Sequence, residues 1–283
     1  MGALQALSTA GDTVRRNPVL FVVAAAFSLL QIPGLVAQTI NPLLGSIVSL
    51  VFSGLLIFIV PFFFGGIIGM ANEAIGGRTS IDTLVSEGKS HYVSLLVTYF
   101  GLLLLNLLLG FVGVFVLVFG GAFVLSSSSQ PGITPFAVLG VLGLGVFLIY
   151  FVVLFFVQFF GHAIVIDDLQ AVDGLKRSVS VVRQNLLSAL GYTILVSIGG
   201  GVMGLLGAAY SVLTTPSVSE SAATPAVPAS PLGVPSVGIV GTVVFLVLLV
   251  VLSGLFGGFF AAYSTAFYRS IRPTQSAGLT ESI

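Results

Sequence analysis

Six apolar stretches, each without Asp, Glu, Lys or Arg in its interior, limit what this chain can fold into. They cover about 19–37, 43–71, 92–125, 136–166, 186–213 and 237–268. Crossing the hydrocarbon of a bilayer takes about 20 apolar residues in a helix. A helix is also one of only two structures that satisfy their own backbone groups there. The expected fold class is all-α: a polytopic membrane protein with six transmembrane helices. Composition agrees, since 57% of the residues are hydrophobic and 6% charged, whereas a soluble domain carries about 25% charged residues.

The nine basic residues orient the bundle. Arg15 and Arg16 precede the first span, and Arg78 and Lys89 lie between the second and third. Lys176, Arg177 and Arg183 lie between the fourth and fifth, and Arg269 and Arg272 follow the sixth. The alternate connections, around 38–42, 126–135 and 214–236, hold no basic residue, and their one charge is Glu220. Basic residues collect on the cytoplasmic side. Both termini are therefore expected in the cytoplasm, with the chain multi-pass in the cell membrane. Arg15 and Arg16 ahead of an apolar run resemble the start of a signal peptide. The run is long for one and no A-x-A site follows, so the span is expected to be retained.

One membrane domain over 1–273 is expected, with a disordered tail at 274–283. The outer segment 214–236 carries Pro216, Pro225, Pro228, Pro231 and Pro235 among Ser, Ala and Thr, and reads as disordered. The third span would be about 51 Å long if helical throughout, so it is expected to tilt, protrude or break, with Gly110, Gly113 and Gly120–Gly121 as the break points. Pro33 and Pro61 predict kinks. Small residues four apart at Gly65 and Gly69, at Gly200, Gly204 and Ala208, and at Gly254, Gly258 and Ala262 predict close helix packing, within the monomer or across a dimer.

The inner connection 167–185 has a different character. Val172, Leu175, Val179 and Val182 recur at helical spacing and form one apolar face, which Leu186 continues. Asp173 and Arg177, four apart, form the expected ion pair. The preferred reading is a helix lying in the headgroup plane; the other is a cytoplasmic extension of the fifth span.

This arrangement recurs. Val14-Arg15-Arg16-Asn17, Gly88-Lys89-Ser90-His91 and Val182-Arg183-Gln184-Asn185 each set a basic residue, one further position and a polar residue before an odd-numbered span, at offsets of 74 and 94 residues. Short apolar periodic stretches precede them: Leu4, Leu7 and Val14; Ile81, Leu84 and Val85; and the valine face of 172–182. The unit would be an interfacial helix plus a transmembrane hairpin, repeated three times in parallel, unlike the inverted repeats of many ion-coupled transporters. Positive-inside bias alone also puts basic residues at these positions, so the pattern has a simpler source beside the repeat.

The run Ala171-Val172-Asp173-Gly174-Leu175-Lys176-Arg177-Ser178, with Val182-Arg183-Gln184-Asn185 after it, resembles a motif that starts spans in a broad group of multi-span prokaryotic proteins. The group includes the membrane domain attached to some bacterial glycerophosphodiester phosphodiesterases. The overall layout is similar to an uncharacterised six-span family of halophilic archaea. An aromatic often follows the motif in that group, where this chain has Leu186. The resemblance implies a membrane domain with an inner-surface motif of Asp173, Lys176, Arg177, Arg183 and Asn185, and it carries over no catalytic residue.

Candidate polar positions within the membrane are Asn106, Gln158 and His162. His162 with Asp167, and with His91 as a third ligand, would resemble a metal site. Positions i and i+5 diverge on a helix, however, unlike the pair in H-E-x-x-H. The preferred reading is an interfacial histidine followed by two solvated acids, with no metal and no cofactor. Asn106 and Gln158 either line a cavity or bond helices together, and helix bonding is preferred. No carboxylate or base inside a span marks an ion path. The absence of cysteine excludes disulfides and thiolate chemistry, and no basic stripe suits nucleic acid. Expected partners are membrane lipids and, secondarily, other membrane proteins. Three functions follow in descending order: a non-enzymatic protein that organises the membrane or binds partners; a transporter or channel for a neutral or lipid-like solute; and an intramembrane enzyme using His162 with Asp167 or Asp168.

Overall fold

A computed structural model of the chain describes residues 2–30, 32–33, 37, 42–126, 133–214 and 239–272. Among these residues the chain is helical, with turns between helices and no strand. The order is α1 (Gly2–Arg16), α2 (Val19–Leu29), α3 (Pro42–Gly76), α4 (Ile81–Ser90), α5 (Tyr92–Ser126), α6 (Ile133–Val157), α7 (Phe160–Ile166), α8 (Ala171–Gln184), α9 (Leu186–Thr214) and α10 (Ile239–Ile271).

Five stretches among the described residues are long and apolar enough to cross a membrane: Leu43–Gly76, Tyr92–Ala122, Ala137–Ile166, Leu186–Ala208 and Val243–Ile271. The helix at the expected first span is α2, with 11 residues, about 17 Å of helix. That span continues into 31 and 34–36, which lie outside the described residues. Residues 127–132, the proline-rich stretch beyond Thr214 and residues 274–283 also lie outside them.

Two kinds of helix alternate. α3, α5, α6 and α10 are apolar on every face, whereas α1, α4 and α8 are amphipathic. A helix apolar all round is a membrane span or a buried core helix, and exposure decides between these. Phe111 on α5 is 70% exposed and Val141 on α6 is 69% exposed, so this hairpin stands clear of protein cover and requires lipid. The buried core lies at the opposite end. It gathers Ala6, Ala10 and Val14 of α1, Met70 and Ala74 at the end of α3, Ala163 of α7, Val181 and Val182 of α8, and Tyr263 and Phe267 of α10.

Glycine explains the close approaches. A Cβ at Gly254 would lie 3.0 Å from the Phe21 carbonyl oxygen, and one at Gly258 would lie 3.0 Å from the Phe21 nitrogen. The Gly254–Gly258 face therefore seats α10 directly on α2. Gly65 meets Leu95 and Gly69 meets Glu87, so this pair also packs within the chain. Gly200 and Gly204 are not packed within the chain among the described residues: a Cβ on either meets nothing within 4 Å.

One expected break is absent and one unexpected break is present. α5 runs unbroken through Gly110, Gly113, Gly120 and Gly121. An interrupted helix in lipid would leave amides and carbonyls without partners, so continuity outweighs the low helix propensity of glycine. α3 likewise continues as one helix through Pro61. The expected fourth span instead divides into α6 and α7 at Gln158–Phe159. The Ser178 hydroxyl of α8 accepts from the Phe159 amide at 3.1 Å and donates to the Phe156 carbonyl at 2.9 Å. It supplies the partners that the broken turn lacks.

Gly258→Ala is expected to destabilise the protein by about 1–3 kcal/mol through overpacking against the α2 backbone. Gly200→Ala, which meets no neighbour, is expected to raise stability by up to about 1 kcal/mol through helix propensity. Thermal unfolding of both variants in one detergent checks the contrast.

Candidate functional site

The three amphipathic helices cover the packed end of the bundle, each through a face of mostly small residues. α1 buries Ala6, Ala10, Thr13 and Val14; α4 buries Leu84 and Gly88; α8 buries Gly174, Ser178, Val181 and Val182. A Cβ at Gly88 would stand 2.8 Å from the Phe62 carbonyl oxygen, so α4 rests on the α3 backbone. The expected valine face of α8 is divided between the bundle and the open side of the helix. Val182 is buried against the bundle, whereas Val172 is 60% exposed and Leu175 and Val179 are half-buried. Gly174 and Ser178 form the inward face because only small side chains fit beneath the helix; the larger aliphatic residues sit to one side.

Each amphipathic helix ends at a polar residue, and that residue reaches the end of a returning helix. The Asn17 amide group donates to the Gly77 carbonyl at 3.0 Å, and its carbonyl accepts from the Thr79 amide at 3.0 Å. Asn185 donates to the Ile271 carbonyl at 3.1 Å. His91 Nε2 lies 3.2 Å from Asp168 Oδ1, just beyond α7. The first two thus satisfy carbonyls that a helix terminus leaves without intrahelical donors.

Asp167 is the electrostatic centre. Its Oδ1 accepts from Arg272 Nη1 at 2.9 Å, and its Oδ2 accepts from Arg177 Nε at 3.2 Å and from the Tyr268 hydroxyl at 2.6 Å. The side chain is 11% exposed. The expected Asp173–Arg177 pair is not formed: Arg177 turns inward to Asp167, and Asp173 pairs with Lys176 at 3.3 Å in the open. A carboxylate already partly withdrawn from water interacts more strongly with the guanidinium than a solvated one does. Next to it, Asp168 takes a left-handed conformation, φ 52°, and the following amide of Leu169 bonds back to the Ile164 carbonyl at 3.2 Å. This closes α7 with a Schellman-type turn.

His162 is buried. Its Nε2 lies 3.0 Å from the Ser264 hydroxyl, and its ring packs between those of Phe159 and Tyr268. No group of three or more His, Cys, Asp or Glu side chains able to hold a metal occurs among the described residues. Asn106 accepts from the Tyr150 hydroxyl at 2.7 Å, bonding α5 to α6, and Gln158 accepts from the Thr193 hydroxyl at 3.1 Å, bonding the α6–α7 break to α9. A cavity of about 370 Å³ opens elsewhere, between α2, α3, α5 and α10, with Val23, Phe27, Phe63, Phe64 and Gly257 in its walls. Arg183 is exposed on α8 beside Lys176.

A family described as a domain of unknown function, DUF7847, matches residues 1–271. The chain belongs to the DUF7847 family. No curated protein matches the chain, and no solved structure does.

For this DUF7847 chain, sequence reasoning singled out Asn106, Gln158 and His162 but not their partners Tyr150, Thr193 and Ser264. It also missed Ser178 and the convergence of Tyr268 and Arg272 on Asp167. The polar residues inside spans were a usable signal for the first group, since each needs a partner in lipid. Asp167→Asn is expected to cost about 2–4 kcal/mol, because it strands two guanidinium groups; Asp173→Asn, in an exposed pair, is expected to change nothing measurable. Asp168→Val is expected to cost about 1–2 kcal/mol, since a β-branched residue resists the left-handed backbone, while Asp168→Gly restores the turn. Denaturant titration in detergent micelles reads all four.

Proposed function

We propose that this protein is a non-catalytic membrane organiser, with three interfacial helices on one side and six spans, that holds lipids or partner proteins. Its ends lie on the cytoplasmic side in this reading, because the basic residues collect there. The observation that carries the proposal is the pairing of the polar groups within the apolar layer. Asn106 bonds to Tyr150, Gln158 to Thr193 and His162 to Ser264. Side chains so engaged act as clamps between helices.

A threefold repeat belongs to the same reading. At offsets of 74 and 94 residues, Ala10 corresponds to Leu84 and Ser178, Val14 to Gly88 and Val182, and Asn17 to His91 and Asn185. The first two sets are buried in all three helices. A bias for basic residues at helix ends does not account for a shared burial register, which supports repetition of the whole unit. The likeness of the 171–185 motif to the membrane domain attached to bacterial glycerophosphodiester phosphodiesterases, and of the layout to a six-span family of halophilic archaea, supports a lipid-facing role.

The enzyme reading loses its pair: His162 faces Ser264, and Asp167 is held by Arg177, Arg272 and Tyr268. Transport of a lipid-like solute has two observations in its favour: the cavity beside Phe27 and Phe63, and one of about 370 Å³ between α5 and α6 that Asn106 lines with Gly113, Val146 and Tyr150; Gln158 lines neither. The chain has no cysteine, so Asn106→Cys and Gln158→Cys give clean reporters. Both are expected to resist a membrane-impermeant thiol reagent until the protein is denatured. Rapid labelling of either folded variant would replace the organiser reading with an aqueous path.

A further inference from the structure

We propose that the groove between α3 and the α4–α5 junction binds a membrane lipid with an anionic headgroup, its chains along α3 and its headgroup at Lys89. The proposal rests on the membrane-organiser reading and names a ligand class for it. The groove measures about 680 Å³ and is walled by Leu30, Phe58, Ile59, Phe62 and Phe63. Phe58 and Phe62 stand one turn apart on the same helix face, so the slot runs along the axis of a span, the direction in which lipid chains lie.

Its polar end is cationic. Lys89 is exposed in the last turn of α4. Glu87 is engaged with His91 at 3.3 Å, and the Tyr92 hydroxyl is engaged with the Phe58 carbonyl at 3.1 Å. Among the described residues no carboxylate pairs with Lys89. An unmatched ammonium above a hydrocarbon slot complements an amphiphile with a negative head. A free inorganic anion would leave the slot unfilled, and a zwitterionic lipid would not offset the charge.

The same combination occurs at α8. A groove of about 630 Å³ with Val172, Leu175 and Val179 in its wall is bordered by Arg183. Arg183 precedes Asn185 by two positions, as Lys89 precedes His91. Asp173 is taken by Lys176, and no carboxylate among the described residues pairs with Arg183.

The chain has no tryptophan, and Phe58 is half exposed in the groove wall, so Phe58→Trp provides a single reporter. The full chain carrying this change is reconstituted in phosphatidylcholine vesicles, and quenching by brominated phosphatidylglycerol is compared with quenching by brominated phosphatidylcholine. A preference of about fivefold for phosphatidylglycerol is expected, the factor one basic side chain contributes at an anionic surface. Adding Lys89→Gln should abolish it, and adding Arg183→Gln should leave it intact. Equal quenching by both lipids overturns the proposal. So does loss of preference with Arg183→Gln to the same extent as with Lys89→Gln, which would mean general surface charge. Absence of quenching by either lipid, as when a second copy of the chain covers the groove, also overturns it. Cysteine protection at Asn106 and Gln158 is read separately, so a failed lipid preference leaves the organiser reading standing, and rapid cysteine labelling removes that reading whatever the quenching shows.

Discussion

Asp167 holds the bundle's packed end together. It sits where α7 stops, accepts from Arg177 on α8, from Tyr268 on α10 and from Arg272 just beyond α10, and so ties the α7–α8 pair to a helix about a hundred residues further on. A carboxylate at this level has given up part of its hydration, and the surrounding donors must offset that loss. Three donors on its two oxygens do so. The charge is tolerable only at the margin of the apolar layer, which is where the apolar run of α6 and α7 ends. The same boundary accommodates Asn17, His91 and Asn185, each reaching the end of a returning helix. Polar chemistry is therefore concentrated in one plane, and the long helices leave that plane as apolar arms.

Five of the spans were legible because their signal is redundant: some twenty apolar residues without a charge admit few alternatives. The basic residues were equally plain. Side-chain pairing was less so, and Arg177 shows why. On an isolated helix its natural partner is Asp173, four residues earlier. In the fold it turns to Asp167 because tertiary structure brings a less solvated carboxylate within reach. The inward face of α8 went unread for a related reason. Hydrophobic periodicity finds the most apolar stripe, but a helix that lies across other backbones needs its smallest stripe underneath. Gly174 and Ser178 were present in the sequence and outweighed by the valines beside them.

Ser178 illustrates a further limit of periodicity. Nothing within the fourth apolar run predicts a break at Gln158–Phe159. The partners for the opened turn come from another helix, 19 residues on from Phe159. A non-local side chain can end a helix that its own sequence would continue. The reverse holds on α5, where five glycines do not interrupt the helix and its backbone keeps its own partners. Whether a weak point becomes a break thus depends on the availability of a partner rather than on propensity.

The arms follow different physics from the packed end. Lipid chains are as apolar as leucine, so burial of one arm against another provides little driving force. Close contact and hydrogen bonds remain. α10 uses contact, with Gly254 and Gly258 against the α2 backbone. α5 and α6 use a hydrogen bond, Asn106 to Tyr150, where most of the surrounding surface is open. A hairpin joined by this pair and by close packing of Leu139 on Gly120, and open over much of its remaining surface, can adjust to its solvent without disturbing the packed end. The division suits a protein whose rigid part presents amphipathic helices at the membrane surface and whose apolar arms anchor that surface in the bilayer.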